Sequence, residues 1–253
     1  MKDVRVFHLI HHLRTGGAER MFATLVSSLH RAGEWRHCAA VLKSPGEFEA
    51  TITQAGIPLY RFHRKKIPDI HMALRLRKLI ADQAVDILHT HDPSATFWGW
   101  LAGLGQPLKA RVVTHHQVEG WDGGRVHLLK RKATSRMMQG AIDYHVAVCR
   151  AARDSLRQHH HTPSEKIVVI PNGIDIKPFA AASRRAASRG RFELPAGVPL
   201  LGLVGRCSPE KGGEVFLNTL EIIKRRGRVV RGVIAGDGPS RGDWERRARA
   251  LGL

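Results

Sequence analysis

The chain has 253 residues, 43% hydrophobic and 25% charged, a composition that excludes wholesale disorder and leaves enough apolar material for a sizeable core. Forty-one Lys and Arg stand against 22 Asp and Glu, a net charge of +19. Such a surplus must face water or an anionic partner, with nucleic acid, an anionic membrane surface and a phosphorylated ligand as the candidates.

Residues 4–10 predict a first strand, too short and too interrupted by Arg5 and His8 for a signal peptide. Residues 11–17 form a loop ending in Gly16-Gly17, and 18–31 a helix with Met21, Leu25, Val26 and Leu29 on one face. A second strand (37–42), a turn at Ser44-Pro45-Gly46, a short helix (48–55) and a weak third strand (59–62) follow. Helix 71–83 turns Met72, Leu76, Leu79 and Ile80 inward. Then come strand 86–91, helix 96–104, strand 111–114, a basic helix over 126–138, strand 144–148, helix 151–160 and strand 166–170. The longest uncharged run, 93–108, contains Pro93, Gly99, Gly103, Gly105 and Pro107 and falls short of the roughly 20 apolar residues of a membrane span. Cys38, Cys149 and Cys207 are too scattered for a metal knuckle or redox pair, which points to a reducing compartment. The expected location is cytoplasmic, at most peripheral to the inner face of the cytoplasmic membrane.

Strands alternating with helices imply a parallel sheet with helices on both faces. The reading is a complete Rossmann-like domain over 1–178, an Ala/Ser/Arg/Gly linker over 179–197, and the first β-α units of a second Rossmann-like domain over 198–253. In that second part 200–204 and 229–235 read as strands, and 213–226 and 241–251 as helices.

In such sheets ligands sit beyond the C-terminal ends of strands. The loop His11-His12-Leu13-Arg14-Thr15-Gly16-Gly17 lets backbone approach a ligand and opens a helix whose N-terminus favours an anion. It also fits a plain tight turn, and it lacks the spaced glycines of a dinucleotide fingerprint. The loop 205–213 offers Arg206 as a planar fork and Lys211 as a point charge before Gly212-Gly213, which suits a pyrophosphate group. The alternative is a solvated basic loop. Gly236-Asp237-Gly238-Pro239 and Pro171-Asn172-Gly173-Ile174-Asp175 are turn signals by themselves.

In order and spacing these segments resemble glycosyltransferase family 4, retaining enzymes of GT-B fold: Gly-Gly-Ala-Glu at 16–19, Thr-His-His at 114–116, Pro-Asn-Gly-Ile-Asp at 171–175, Gly-Arg-x-Ser-Pro-Glu-Lys-Gly at 205–212 and Gly-Asp-Gly-Pro at 236–239. The resemblance implies two Rossmann-like domains facing across a cleft and no cofactor, with a nucleotide diphosphate sugar as donor substrate. It implies that Arg206 and Lys211 bind the donor diphosphate, with Gly236 and Asp237 on the donor side. Gly16 and Gly17 would approach the sugar phosphate from the first domain. His116 would be the catalytic-site residue in polar contact with the transferred sugar, beside His115. Asn172, Gly173 and Asp175 would form a structural loop near the cleft. The acceptor would be a glycan or a lipid-linked glycan.

The family also implies a Glu-x7-Glu pattern in its second domain, and no two glutamates here are eight apart. The chain therefore reads as the N-terminal portion of such an enzyme, with weakened donor binding. A non-transferase relative such as a sugar-nucleotide epimerase is disfavoured by the Gly-Gly-Ala-Glu and Ser-Pro-Glu-Lys-Gly pair. The other class of reading is a non-catalytic basic module. Helix 126–138, with Lys130, Arg131, Lys132 and Arg136 opposite Val126, Leu129 and Met137, suits an anionic membrane surface. Nucleic acid is not expected, because aromatics do not interleave with the basic clusters. His89-x-His91-Asp92 could be read as metal ligands, since alternate strand residues share a face, but no metal is expected. The His159-His160-His161 run reads as a solvated helix end.

Overall fold

The structure is a computed structural model. It describes residues 4–44, 46–64, 69–116, 138, 140–174, 176, 189–195 and 197–253. The chain divides into two compact units, Met1–Ile174 and Asp175–Leu253. The expected basic helix over 126–138 lies outside the described residues apart from Met138, which is helical and buried. Asp175 and 179–188 of the expected linker lie outside them too.

The first unit carries one parallel sheet. Its strands are β1 (Arg5–His12), β2 (Arg36–Ser44), β3 (Leu59–Arg61), β4 (Ile87–Thr90), β5 (Ala110–His115), β6 (Tyr144–Ala147) and β7 (Ile167–Val169), in the order β3-β2-β1-β4-β5-β6-β7. Every pairing is parallel. The order reverses between β1 and β4, so the loops leaving those two strands open a crevice where ligands bind in such sheets.

Its helices are α1 (Gly17–Ala32), α2 (Glu49–Gln54), α3 (Ile70–Asp82), α4 (Pro93–Gly103) and α5 (Arg150–His160). Strand alternation sorts the core. Phe7, Leu9, Ala40, Leu42 and Leu88 pack with Met72 and Leu76 of α3 and Ala95 and Trp98 of α4. On the other face Ile10, Ala39 and Val41 pack with Phe22, Ala23 and Val26 of α1 and Ile52 of α2. Burying each large apolar side chain is worth ~1.5–3 kcal/mol.

Most boundaries shift by one or two residues from the sequence reading, and two of the shifts bear on the site. The first strand runs on to His12, which pairs with Ser44 beyond an irregularity in the register. Helix α4 begins at Pro93 instead of 96, because Asp92 is a true N-cap, accepting from Ala95 N at 2.9 Å. Proline suits the following position, where no amide donor is needed.

In the second unit β8 (Leu200–Val204) and β9 (Arg231–Ala235) pair in parallel, each followed by a helix, α6 (Gly213–Arg225) and α7 (Arg241–Ala250). Cys207, Leu217 and Trp244 form its core, flanked by Leu203 and Ile234. Gly213 lies under Trp244. A Cβ there would meet the indole at 2.2 Å.

Candidate functional site

The site in the first unit is built around the β1–β4 switch point. Helix α1 opens at Gly16 with extended backbone and no side-chain cap, so its first amide donors have no side-chain acceptor, which favours an anion there. The Gly-Gly-Ala-Glu run has a steric reason. A Cβ on Gly16 would fall 2.0 Å from Glu19 Oε2, whereas one on Gly17 would meet nothing within 4 Å. Gly16 thus lets Glu19 fold back, and its carboxylate reaches His12 Nδ1 at 3.2 Å.

Across the switch point Asp92 ties the two loops together. Its carboxylate accepts from His11 N at 2.6 Å while it caps α4. Burial pushes the Asp92 pKa up, opposed by backbone donors at Ala95, His11 and Ser94. The His11 imidazole is pushed down to about 4 by burial, with Arg64, His12 and Lys43 adding repulsion. Arg64 reaches over from beyond β3, donating to Ser94 Oγ at 3.1 Å and lying over the Trp98 ring at 5.9 Å. Its guanidinium is a cation beside the α4 N-terminus that the sequence reading did not single out.

His116 follows β5, and its Nε2 lies 3.4 Å from Nδ1 of His91, the residue after β4. Burial lowers its pKa, so at neutral pH it is a hydrogen-bonding imidazole and not a cation. Its neighbour His115 turns the other way, to His145 Nδ1 at 3.0 Å. Sequence alternation alone allows that split, because successive strand residues face opposite sides. Asn172 and Gly173 are exposed and follow β7, the edge strand, so within this unit they stand away from the switch point.

In the second unit the loops after β8 and β9 hold each other. Gly205 N donates to Ala235 O at 3.0 Å, Cys207 N to Asp237 O at 2.8 Å, and Ser240 N to Cys207 O at 2.9 Å. A Cβ on Gly236 would sit 1.8 Å from Gly205 O, so only glycine permits this approach. The Asp237 carboxylate accepts from Gly238 N at 2.8 Å and faces Arg241 at 3.7 Å. Its position is that of a loop brace. Ser208 donates to the Glu210 carboxylate. Gly212, at φ 71°, is the N-cap of α6 and supplies no side-chain cap. Arg206 and Lys211 are exposed on the same loop. Two cations and an uncapped helix N-terminus on one short loop can hold a diphosphate through charge-assisted hydrogen bonds.

Residues 15–177 match the family model described as Glycosyltransferase Family 4. A D-inositol 3-phosphate glycosyltransferase of Kineococcus radiotolerans is 32% identical over 63% of this chain and 39% of its own length. The putative glycosyltransferase EpsF of Bacillus subtilis is 26% identical over 98% of this chain and 66% of its own. Among solved structures, Anabaena Alr3699/HepE in complex with UDP and glucose superimposes with a TM-score of 0.79 at 17% identity, covering 98% of this chain and 65% of that one. UDP-GlcNAc 2-epimerase from Neisseria meningitidis superimposes with a TM-score of 0.62 at 14% identity, over 98% of this chain and 69% of that one. At such identities the likeness is one of fold, and the fold is shared by enzymes of different reactions. The chain spans less than two thirds of the length of these two curated relatives. Among the described residues no helix is long and apolar enough to cross a membrane.

Proposed function

The chain belongs to glycosyltransferase family 4 and has an α/β fold of GT-B type; from that premise we propose that it takes part in transferring a sugar from a nucleotide diphosphate sugar to a glycan or lipid-linked glycan acceptor, with retention at the anomeric carbon. The observation that carries this reading is the loop after β8. Arg206 and Lys211 lie on the loop that leads to the uncapped start of α6, and that loop is braced by Gly236 and Asp237. In this reading the two cations neutralise the donor diphosphate as it becomes the leaving group. Stabilising a developing charge with pre-placed donors is the principal way such a site lowers a barrier. In the first unit the free amides of Gly17 and its neighbours would meet the sugar phosphate, and His116 would give polar contact to the transferred sugar. The retention and acceptor readings come from the family resemblance.

Thermal unfolding with and without a panel of nucleoside diphosphates tests the donor reading. Binding to the native state raises the melting temperature, increasingly so as the ligand concentration exceeds its Kd. The expected result is a rise with at least one of them, and a flat response to all contradicts it. Where transfer is detected, proton NMR of the first-formed product reads the anomeric configuration; inversion would contradict retention.

A further inference from the structure

Under α1, on one face of the sheet, four histidines and a threonine lie side by side. His8 of β1 stands level with His89 of β4 in the strand register, and His91 follows two residues later on the same side. One ring nitrogen from each of these three lies within 4.8 Å of the others. Points so spaced all lie within about 2.8 Å of a common centre, and a zinc–imidazole bond needs ~2.0–2.1 Å. A contraction of less than an ångström per ring closes the difference.

Each ring also has an outer partner. His8 Nε2 is 3.0 Å from His37 Nδ1, His89 Nε2 is 2.8 Å from Thr114 Oγ1, and His91 Nδ1 is 3.4 Å from His116 Nε2. A ligating imidazole needs this arrangement, one nitrogen fixed from outside and the other turned to the ion. The ring nitrogens not engaged in these contacts include His8 Nδ1 and His91 Nε2, both buried with no hydrogen-bond partner. An unpartnered buried polar atom is costly, and this cluster holds two. His8 and His91 are 0% and 1% exposed.

We propose that His8, His89 and His91 form a zinc site that ties β1 to β4 beneath the switch point. Three imidazoles leave one position of a tetrahedral ion for a water molecule. Asp92 is not the fourth ligand, since both its oxygens are committed to backbone donors. The donor set has no thiolate and no free carboxylate, which favours zinc over calcium, magnesium or copper(I).

The test uses the untagged full chain, stripped with a chelator and dialysed against micromolar free zinc. Metal analysis should find one zinc per chain, with a raised melting temperature. Cobalt in its place should give the visible absorption of a tetrahedral, nitrogen-ligated ion. His8→Gln and His91→Phe, checked for fold by circular dichroism, should each lose the zinc. A double variant of the exposed helix end, His159→Ala with His161→Ala, should keep it. The proposal is overturned if the wild-type chain takes up no stoichiometric zinc. It is equally overturned if cobalt shows no tetrahedral spectrum, or if the ion survives both core variants or leaves with the helix-end pair. The wild-type measurements decide the matter even if a core variant fails to fold.

Discussion

The Asp92 carboxylate accepts from the backbone N–H of His11 at 2.6 Å, across the two strands where the sheet order reverses. The same carboxylate caps α4. One side chain therefore sets both walls of the crevice, the loop that leads to Gly16-Gly17 and the helix start beside Arg64. Asp92→Ala should destabilise the chain by about 2–4 kcal/mol, the sum of a lost cap and a lost charge-assisted hydrogen bond. Asp92→Asn should cost less, because its amide oxygen can still cap Ala95. Urea unfolding of the two variants measures this, and an alanine variant as stable as wild type would remove Asp92 from the account.

The two glycines of the first loop should behave differently. Gly17 has open space where a Cβ would go and sits at the first position of α1. Gly17→Ala should leave the fold intact or gain up to about 0.5–1 kcal/mol in helix preference, while narrowing the backbone approach proposed for the sugar phosphate. Gly236→Ala should damage the second unit, because its Cβ would overlap Gly205 O; a loss of about 2 kcal/mol or more follows from such overlap. Chemical denaturation read separately from donor turnover distinguishes the two. Equal stability losses in both would contradict the steric reading.

Acid should unfold the chain earlier than its carboxylates alone would require. His145 is 3% exposed, and its pKa is lowered to about 4 by burial, with Lys166 and His160 adding repulsion. The unfolded chain protonates this ring near 6.5 and the folded chain resists it. Its contribution is thus fully present above pH 6.5 and is lost as pH falls toward about 4, ~3 kcal/mol in all. His145→Phe should flatten the stability–pH slope in that window by about one proton, ~1.4 kcal/mol per pH unit. An unchanged slope between pH 6.5 and 4 would show that His145 does not resist protonation.

Much of the fold was legible because its signals are local. The 3.6-residue period of α1 and α3, the short apolar runs of β1 and β4, and the glycines closing the first and second-unit loops are all written within a few residues. The loop 205–213 was legible for the same reason, since two cations and three glycines fall within nine consecutive positions. What depends on register was not legible. His89-x-His91 announces two rings on one face, but that His8 joins them follows from β1 pairing level with β4, which no spacing encodes. Arg64 reaches Ser94 over 30 residues of sequence. Asp92 was readable in principle. Asp followed by Pro is a helix start, and weighing it as a metal ligand hid the cap.

Diphosphate binding at the 205–213 loop is measured by isothermal titration of a nucleoside diphosphate, UDP first and then the other bases, into the wild-type chain and into Arg206→Ala and Lys211→Ala. The account predicts binding by the wild-type chain that each substitution weakens by about tenfold or more, as the loss of a charge-assisted hydrogen bond worth ~1.5–3 kcal/mol requires. Affinities unchanged by both substitutions, or no binding of any nucleoside diphosphate by the wild-type chain, would contradict it.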